Sequence, residues 1–391
     1  MTVSPSSVIR QPANPAQRAR PGAYTPRERL MRVLRHEKTD RLPISPCGLS
    51  PYTWHVDFPD YHPILDVAEK HCEFLCKFGI ADGYGLSESD GWSMKTEKDE
   101  QGDRKIQRTE LQTPKGTLIQ TRVHDRAVGS WASSKSFVND MDDLNARDSL
   151  PFEPLEARLD GIREFDARIG EAGLVYCSGI KNALLNACWG MSEEFRTVFC
   201  FTEQERLRRM VDTAQERLLD YVTRLLDVGA GPVFRWYAIE DFVEPMMPPS
   251  FVDEFIVPYD REIVKLIHDR GGRVVMHCHG RLGAQIERML AIGVDGVDCA
   301  ESPPQNDIDL AGMIEKADGR MVIWGYIQYE DLARKTGDEI ETMVRKAVEA
   351  GGTEGRYILS QAASPWTAEI DARTRDNWIR MIEAGAKYGG H

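Results

Sequence analysis

Residues 273–283, RVVMHCHGRLG, place His277, Cys278 and His279 in succession where an apolar run meets a glycine. Side chains on an extended strand alternate between faces, so His277 and His279 share one side and Cys278 takes the other. Two imidazoles converging on one point form half of a zinc site, which is completed by sulfur or carboxylate oxygen. Neighbouring runs end in suitable groups: Glu240 and Asp241 close WYAIED, and Cys299 and Glu301 close DCAESPP. His277, His279, Glu240 and Glu301 are therefore the expected catalytic residues. Each carboxylate also has an ordinary role open to it, as partner of Arg235 or as cap of the following helix. Trp236, Tyr237, Trp324, Tyr326 and Trp366 lie at or near run ends and are placed to wall a pocket, with Arg235 and Gln361 completing the substrate-binding set.

The elements that must position these residues are short apolar runs, each ending in Gly, Ser or a polar residue. They fall near 41–48 (RLPISPCG), 79–86, 173–179, 231–241, 273–280, 293–302, 320–327 and 356–364. Helical patterns separate the later runs, and steady strand–helix alternation demands a parallel sheet with helices outside it. Eight such strands predict an α/β fold of the (β/α)₈ TIM-barrel type, whose sites lie at the C-terminal strand ends. TPRERLMRVLRHEKTDRLP predicts a helix opened by Thr25 and Pro26. Residues 92–125 alternate polar and apolar types around DEQGD and TPKG, which predicts an antiparallel meander inserted after the second strand. Cys72 and Cys76, four apart, are expected on one buried helix face.

Residues 1–24, rich in Pro, Ser, Ala and Arg, form an expected flexible lead-in without the apolar stretch of a secretory signal, leaving one domain over 25–391. The net charge of −13 excludes a general nucleic-acid binder, because neutralising phosphates requires a basic surface. No apolar run is long enough for a membrane span. The 8 cysteines are widely spread, which fits reduced thiols in a cytoplasmic protein. A small-molecule substrate is expected.

The stretches TPRERLMRVLRHEKTDRLP, PPSFVDEFIVPYDREIVKLIHDRGGRVVMHCHG, GVDGVDCAE, MVIWGYIQ and NWIRMIEAGAKYG together resemble the uroporphyrinogen decarboxylase superfamily over residues 25–389. That superfamily contains the decarboxylase and zinc-dependent methyltransferases that take methyl groups from corrinoid proteins. The decarboxylase carries an arginine-rich motif after its first strand. Here SPCGLSPYTW stands there, with no arginine between Arg41 and Arg104, so the resemblance is not to a true uroporphyrinogen decarboxylase. The methyltransferases carry His-x-Cys-Gly at the fifth strand and a cysteine near the eighth. This chain has His277-x-His279 and no cysteine in residues 360–364. It shares HCHG followed by Glu-x-Pro-Pro, Glu301 to Pro304, with a branch of unassigned activity.

The resemblance implies a methyltransferase or demethylase acting on a small methylated compound, with Zn²⁺ as Lewis acid and a corrinoid protein or tetrahydrofolate as methyl acceptor. It also implies pairing of barrels in a homodimer. With the eighth-strand cysteine absent, a carboxylate must balance the cation's charge, and Glu301 is the expected third ligand, fixed by Pro303 and Pro304. Glu240 is second and Cys299 third. Such hard ligation suits an oxygen substrate, a methoxy compound above all. The alternatives are a metal-independent lyase or decarboxylase, with His277 or His279 as acid/base and Arg235 on a substrate carboxylate, and a binding protein without catalysis.

Overall fold

A computed structural model describes residues 23–80, 83–102, 104–125, 130–237, 239–365 and 367–390. The expected lead-in lies outside the described residues except for its last two. The chain first forms the expected helix, Pro26–Leu34, closed at its start by a reciprocal pair in which Thr25 accepts from the Glu28 amide and Glu28 accepts from the Thr25 amide. Among the described residues eleven strands follow: β1 Phe74–Gly79, β2 Met94–Gln101, β3 Arg104–Thr113, β4 Gly116–Asp125, β5 Ser130–Lys135, β6 Gly173–Lys181, β7 Val233–Tyr237, β8 Arg273–His277, β9 Gly296–Ala300, β10 Val322–Ile327 and β11 Tyr357–Gln361. Strands β1 and β6 to β11 make a seven-stranded parallel sheet in chain order, and β2 to β5 make a separate four-stranded antiparallel sheet. The inserted meander is thus present and runs on to residue 135.

The parallel sheet curls around an interior cluster that includes Leu75, Leu174, Val233, Val275, Val322 and Ile358, with Leu30, Val33 and Leu34 of the first helix packed on it. The opposite face, including Phe234, Trp236, Met276, Val297 and Leu359, packs under the helices. Among the described residues no helix is long and apolar enough to cross a membrane.

The sheet departs from the expected eight-stranded closed barrel at two places. Residues 41–48 are not a strand. Ile44 makes an isolated parallel bridge to Leu359, and its carbonyl accepts from the Glu73 amide beside β1, so one residue stands between the two edges of the sheet. Pro43 and Pro46 flank it and have no N–H to extend a ladder in either direction. The seven-stranded ladder therefore does not close on itself.

The strand expected at 79–86 lies earlier, at 74–79. Cys72 caps the C-terminus of the helix His62–His71, and Cys76 lies within β1, so the two thiols do not share a helix face. Tertiary pairing outweighs local spacing here. β1 approaches β6 so closely that a Cβ at Gly173 would lie 1.9 Å from the Phe74 carbonyl oxygen. Only glycine permits that ladder.

Candidate active site

The C-terminal ends of β7, β8 and β9 bring the site together. His277 ends β8 and is largely buried, and its ring lies 4.8 Å from that of the more exposed His279. Cys278 is fully buried in the outer core, its thiol pushed well up by burial and by the Glu240, Glu301 and Asp298 carboxylates. Alternation along β8 is therefore as the sequence predicts.

β9 does not alternate. Trp324 of β10 pairs with Asp298 and Gly325 pairs with Ala300, leaving Cys299 as an extra residue with φ +59°. This is a bulge, and it turns two successive side chains the same way. Asp298 and Cys299 both reach Arg235: the carboxylate lies 2.5 Å from Nε, and Nη2 donates to the thiol at 3.6 Å. Gly325 makes the bulge possible, since a Cβ there would sit 2.6 Å from the Ala300 carbonyl.

Arg235 is the hub. Nη1 donates to the Tyr237 hydroxyl at 2.7 Å, and Nη2 lies 2.8 Å from His277 Nδ1. Burial opposes its charge, but Asp298, Tyr176 and Cys47 outweigh burial and hold the guanidinium firmly protonated. Burial likewise opposes the Asp298 carboxylate, yet Arg235 and His277 hold its pKa below the usual value. Asp298 Oδ1 also lies 2.8 Å from His277 Nδ1. One neutral imidazole nitrogen cannot donate and accept together. A proton on Nδ1 satisfies Asp298 and frees Nε2, whereas a proton on Nε2 leaves Nδ1 to accept from Arg235. His277 Nε2 faces Glu240 Oε1 at 3.8 Å.

His279 Nδ1 lies 3.6 Å from Glu301 Oε1. Its pKa is raised, first by that carboxylate, which outweighs burial. Burial pushes Glu301 up, but His279 and the Gly280 amide, which donates to it at 2.7 Å, bring its pKa below the ordinary value. The His279 amide donates to Glu240 Oε2 at 3.3 Å.

Two overlapping groups of ligand atoms result. One nitrogen each of His277 and His279 and the Cys299 sulfur lie within 4.8 Å of one another, and so do Cys47, Asp298 and Cys299. Glu301 and Glu240, expected ahead of Cys299 as third ligand, each face one histidine instead. The bulge explains the reversed order, because it brings Cys299 inward at a depth that simple alternation does not allow. Cys47 and Asp298 were not among the residues singled out from the sequence. Cys47 closes the 41–48 run, so the strand-end rule that selects His277 selects it too. Its amide donates to Ser360 Oγ at 2.9 Å and its thiol pKa is lowered, chiefly by Cys299, which retains its own proton in return. Asp298 carried no signal, since alternation sets it opposite Cys299.

The remaining expected residues separate. Tyr237 belongs to the site, with its ring 5.1 Å from that of His277 and its hydroxyl 3.0 Å from Ser178 Oγ. Trp236 points away: it is wholly buried under the helices beside Asp260. Trp324 lies in the interior cluster and donates to the Ser45 carbonyl at 2.9 Å. Tyr326, at φ +91°, lies by Asp309 and Leu310. The Gln361 amide donates to the carbonyls of Cys47 and Ala363, tying the Cys47 segment to β11. Trp366 lies outside the described residues.

Residues 189–367 match the family model described as Uroporphyrinogen decarboxylase (URO-D). Among solved structures, a methyltransferase from Methanosarcina mazei superposes with a TM-score of 0.59 at 14% identity, covering 93% of this chain and 99% of that one. That identity speaks for the fold alone. A D-psicose 3-epimerase with D-tagatose from Clostridium cellulolyticum H10 gives a TM-score of 0.36 at 10% identity, covering 59% of this chain and 83% of that one. No curated protein matches the sequence.

Proposed function

We propose that this chain, whose residues 189–367 match the uroporphyrinogen decarboxylase family model, is a metal-assisted methyltransferase of that superfamily acting on a small methylated compound. The observation that carries this reading is the His277–His279–Cys299 group. Two imidazoles and one thiol, whose proton a bound cation would displace, are a donor set that suits zinc, and three protein ligands leave a position open for substrate. When bound, the cation would supply Lewis acidity to the ether oxygen of the substrate.

The chain's own residues prepare that place. Asp298, fixed by Arg235, accepts the His277 Nδ1 proton and so leaves the Nε2 lone pair directed outward, the usual support of a metal-binding histidine. Glu301 orients His279. Cys47 sits beside Cys299 as a second sulfur, and Arg235 keeps the negative charge of this buried group compensated. Tyr237 places a hydroxyl at the rim. The methyl acceptor in this reading is a corrinoid protein or tetrahydrofolate.

A second reading, a lyase that needs no metal, draws support from the raised pKa of His279, which keeps a proton donor at the strand ends. Arg235 does not serve it as a carboxylate clamp, because the nearly buried guanidinium already faces Asp298, Tyr237 and Cys299. Elemental analysis of purified protein together with a demethylation assay on a methoxy substrate tests the choice. The expected result is about one zinc per chain by the three-ligand argument, lost in Cys299→Ala and reduced in Glu301→Gln. Full demethylation by metal-free protein defeats the metal's role, and metal-loaded protein that demethylates nothing defeats the methyltransferase reading.

A further inference from the structure

A cavity of about 610 Å³ lies between β4 of the meander and the end of β6. Its described lining carries Arg122, Lys181 and Arg196 and no aspartate or glutamate, although acidic residues outnumber basic ones 62 to 49 in the chain. Arg122 lies over the Trp131 ring at 5.5 Å, and no described carboxylate pairs with it. Arg196, nearly buried, has one distant carboxylate, Asp241 at 3.8 Å, which is not part of the lining. A cleft of one sign with low-dielectric walls concentrates the opposite charge.

The walls are aromatic. Tyr84 and Trp189 line the cavity with ring centroids 5.4 Å apart, and Phe137 meets Tyr84 edge-on. Both Tyr84 and Trp189 are only partly buried; Trp92 stacks on them at 6.0 and 5.8 Å and Arg147 lies over Trp189 at 5.3 Å, so a planar ligand meets the ring surface that these contacts leave exposed. The volume lies within the range of small-molecule sites. The cavity also adjoins the site already described, because Lys181 is the register partner of Tyr237, whose hydroxyl bonds Arg235.

We propose that this cavity binds an aromatic carboxylate, with its ring against Trp189 and Tyr84 and its anionic group among Arg122, Lys181 and Arg196. The inference rests on the methyl-transfer reading only in taking this ligand as the substrate; the binding itself needs no turnover.

Isothermal titration of the full chain with 4-methoxybenzoate, 4-methoxybenzamide and inorganic phosphate tests it, each in the presence and absence of a chelator. The expected result is binding of the carboxylate at least about tenfold tighter than the amide, with affinity unchanged by the chelator and no competition from phosphate. Arg122→Gln, on the meander and remote from the sheet core, should weaken carboxylate binding by about tenfold with no change in melting temperature. Equal affinity for the amide, an unaltered Arg122→Gln, or displacement by phosphate overturns the proposal. Binding that disappears with the chelator overturns it too, since the carboxylate would then be held by the metal. Binding of the carboxylate without demethylation would uphold the cavity's role and count against the reaction.

Discussion

Strand β8 keeps strict alternation to its end, sending His277 inward and Cys278 outward, whereas its neighbour β9 turns both Asp298 and Cys299 toward Arg235. The two strands are paired through Val275 to His277 and arrive at the same point. On β8 the identity of each inward residue follows from its parity. On β9 the left-handed backbone at Cys299 cancels parity and supplies the buried acid and the sulfur together. A strand can thus deliver one functional side chain per two residues when regular, and two in succession where a bulge intervenes.

The largest effect expected from this contrast is at β8. His279→Ala should abolish metal content and demethylation while leaving the denaturation midpoint unchanged, because the side chain is 43% exposed. Cys278→Ser should do the reverse, retaining metal and activity but lowering stability by about 1–3 kcal/mol for a hydroxyl in the apolar core. Metal analysis and denaturant unfolding of both variants check the pair, and loss of metal in Cys278→Ser alone would invert the strand's faces.

On β9 the buried ion pair is the sensitive point. Asp298→Ala leaves Arg235 charged without its carboxylate, so unfolding free energy should fall by about 3–5 kcal/mol. The double variant Arg235→Met, Asp298→Leu should recover much of that loss, and a double-mutant cycle measures the coupling. Additive losses would show that the pair acts through something other than charge.

A third test sets Asp298 against Asp260, a buried carboxyl on the outer face. Burial pushes Asp260 up to about 7, with Trp236 and Asn182 only partly opposing, and no described cation compensates it. A folded pKa above the unfolded value means that the folded state holds the proton more tightly. Stability from this group is therefore full below about pH 4 and is lost as pH rises through 7. Asp260→Asn should flatten the pH dependence of unfolding, with a relative gain on the order of 2–4 kcal/mol at pH 8 over pH 4. Parallel pH profiles for variant and wild type would mean that the carboxyl ionises at no cost.

The smallest effect concerns the bulge itself. Cys299→Gly should be more stable than Cys299→Ala by ~1 kcal/mol, because glycine adopts φ +59° without the Cβ penalty. Equal stability in thermal unfolding would indicate a backbone that straightens when the thiol is removed.

Much of this organisation was legible beforehand. Six of the expected strands, the helix opened by Thr25 and the inserted meander are present, since each rests on a local pattern of apolar residues, caps and turns. The first two strands were misjudged for non-local reasons: Pro43 and Pro46 reduce residues 41–48 to one bridge, and β1 is chosen by its fit against Gly173. In the site, the structure brings together His277, His279, Arg235 and Tyr237, each of distinctive chemical type and within two residues of the end of β7 or β8. Trp236 has the same type and the opposite face.

What the sequence by itself determined is which chemical groups arrive at the strand ends, since the alternation of apolar runs and helices leaves their C-terminal residues nowhere else to go. What only the tertiary structure decided is which of those groups meet. Cys47 reaches Cys299 across more than 250 residues because residues 43–47 lie along β11, and a bulge against Gly325 turns Cys299 inward beside Asp298. Both depend on backbone approach between separate segments, and a close approach leaves in the sequence only a glycine or a proline whose partner is not written beside it.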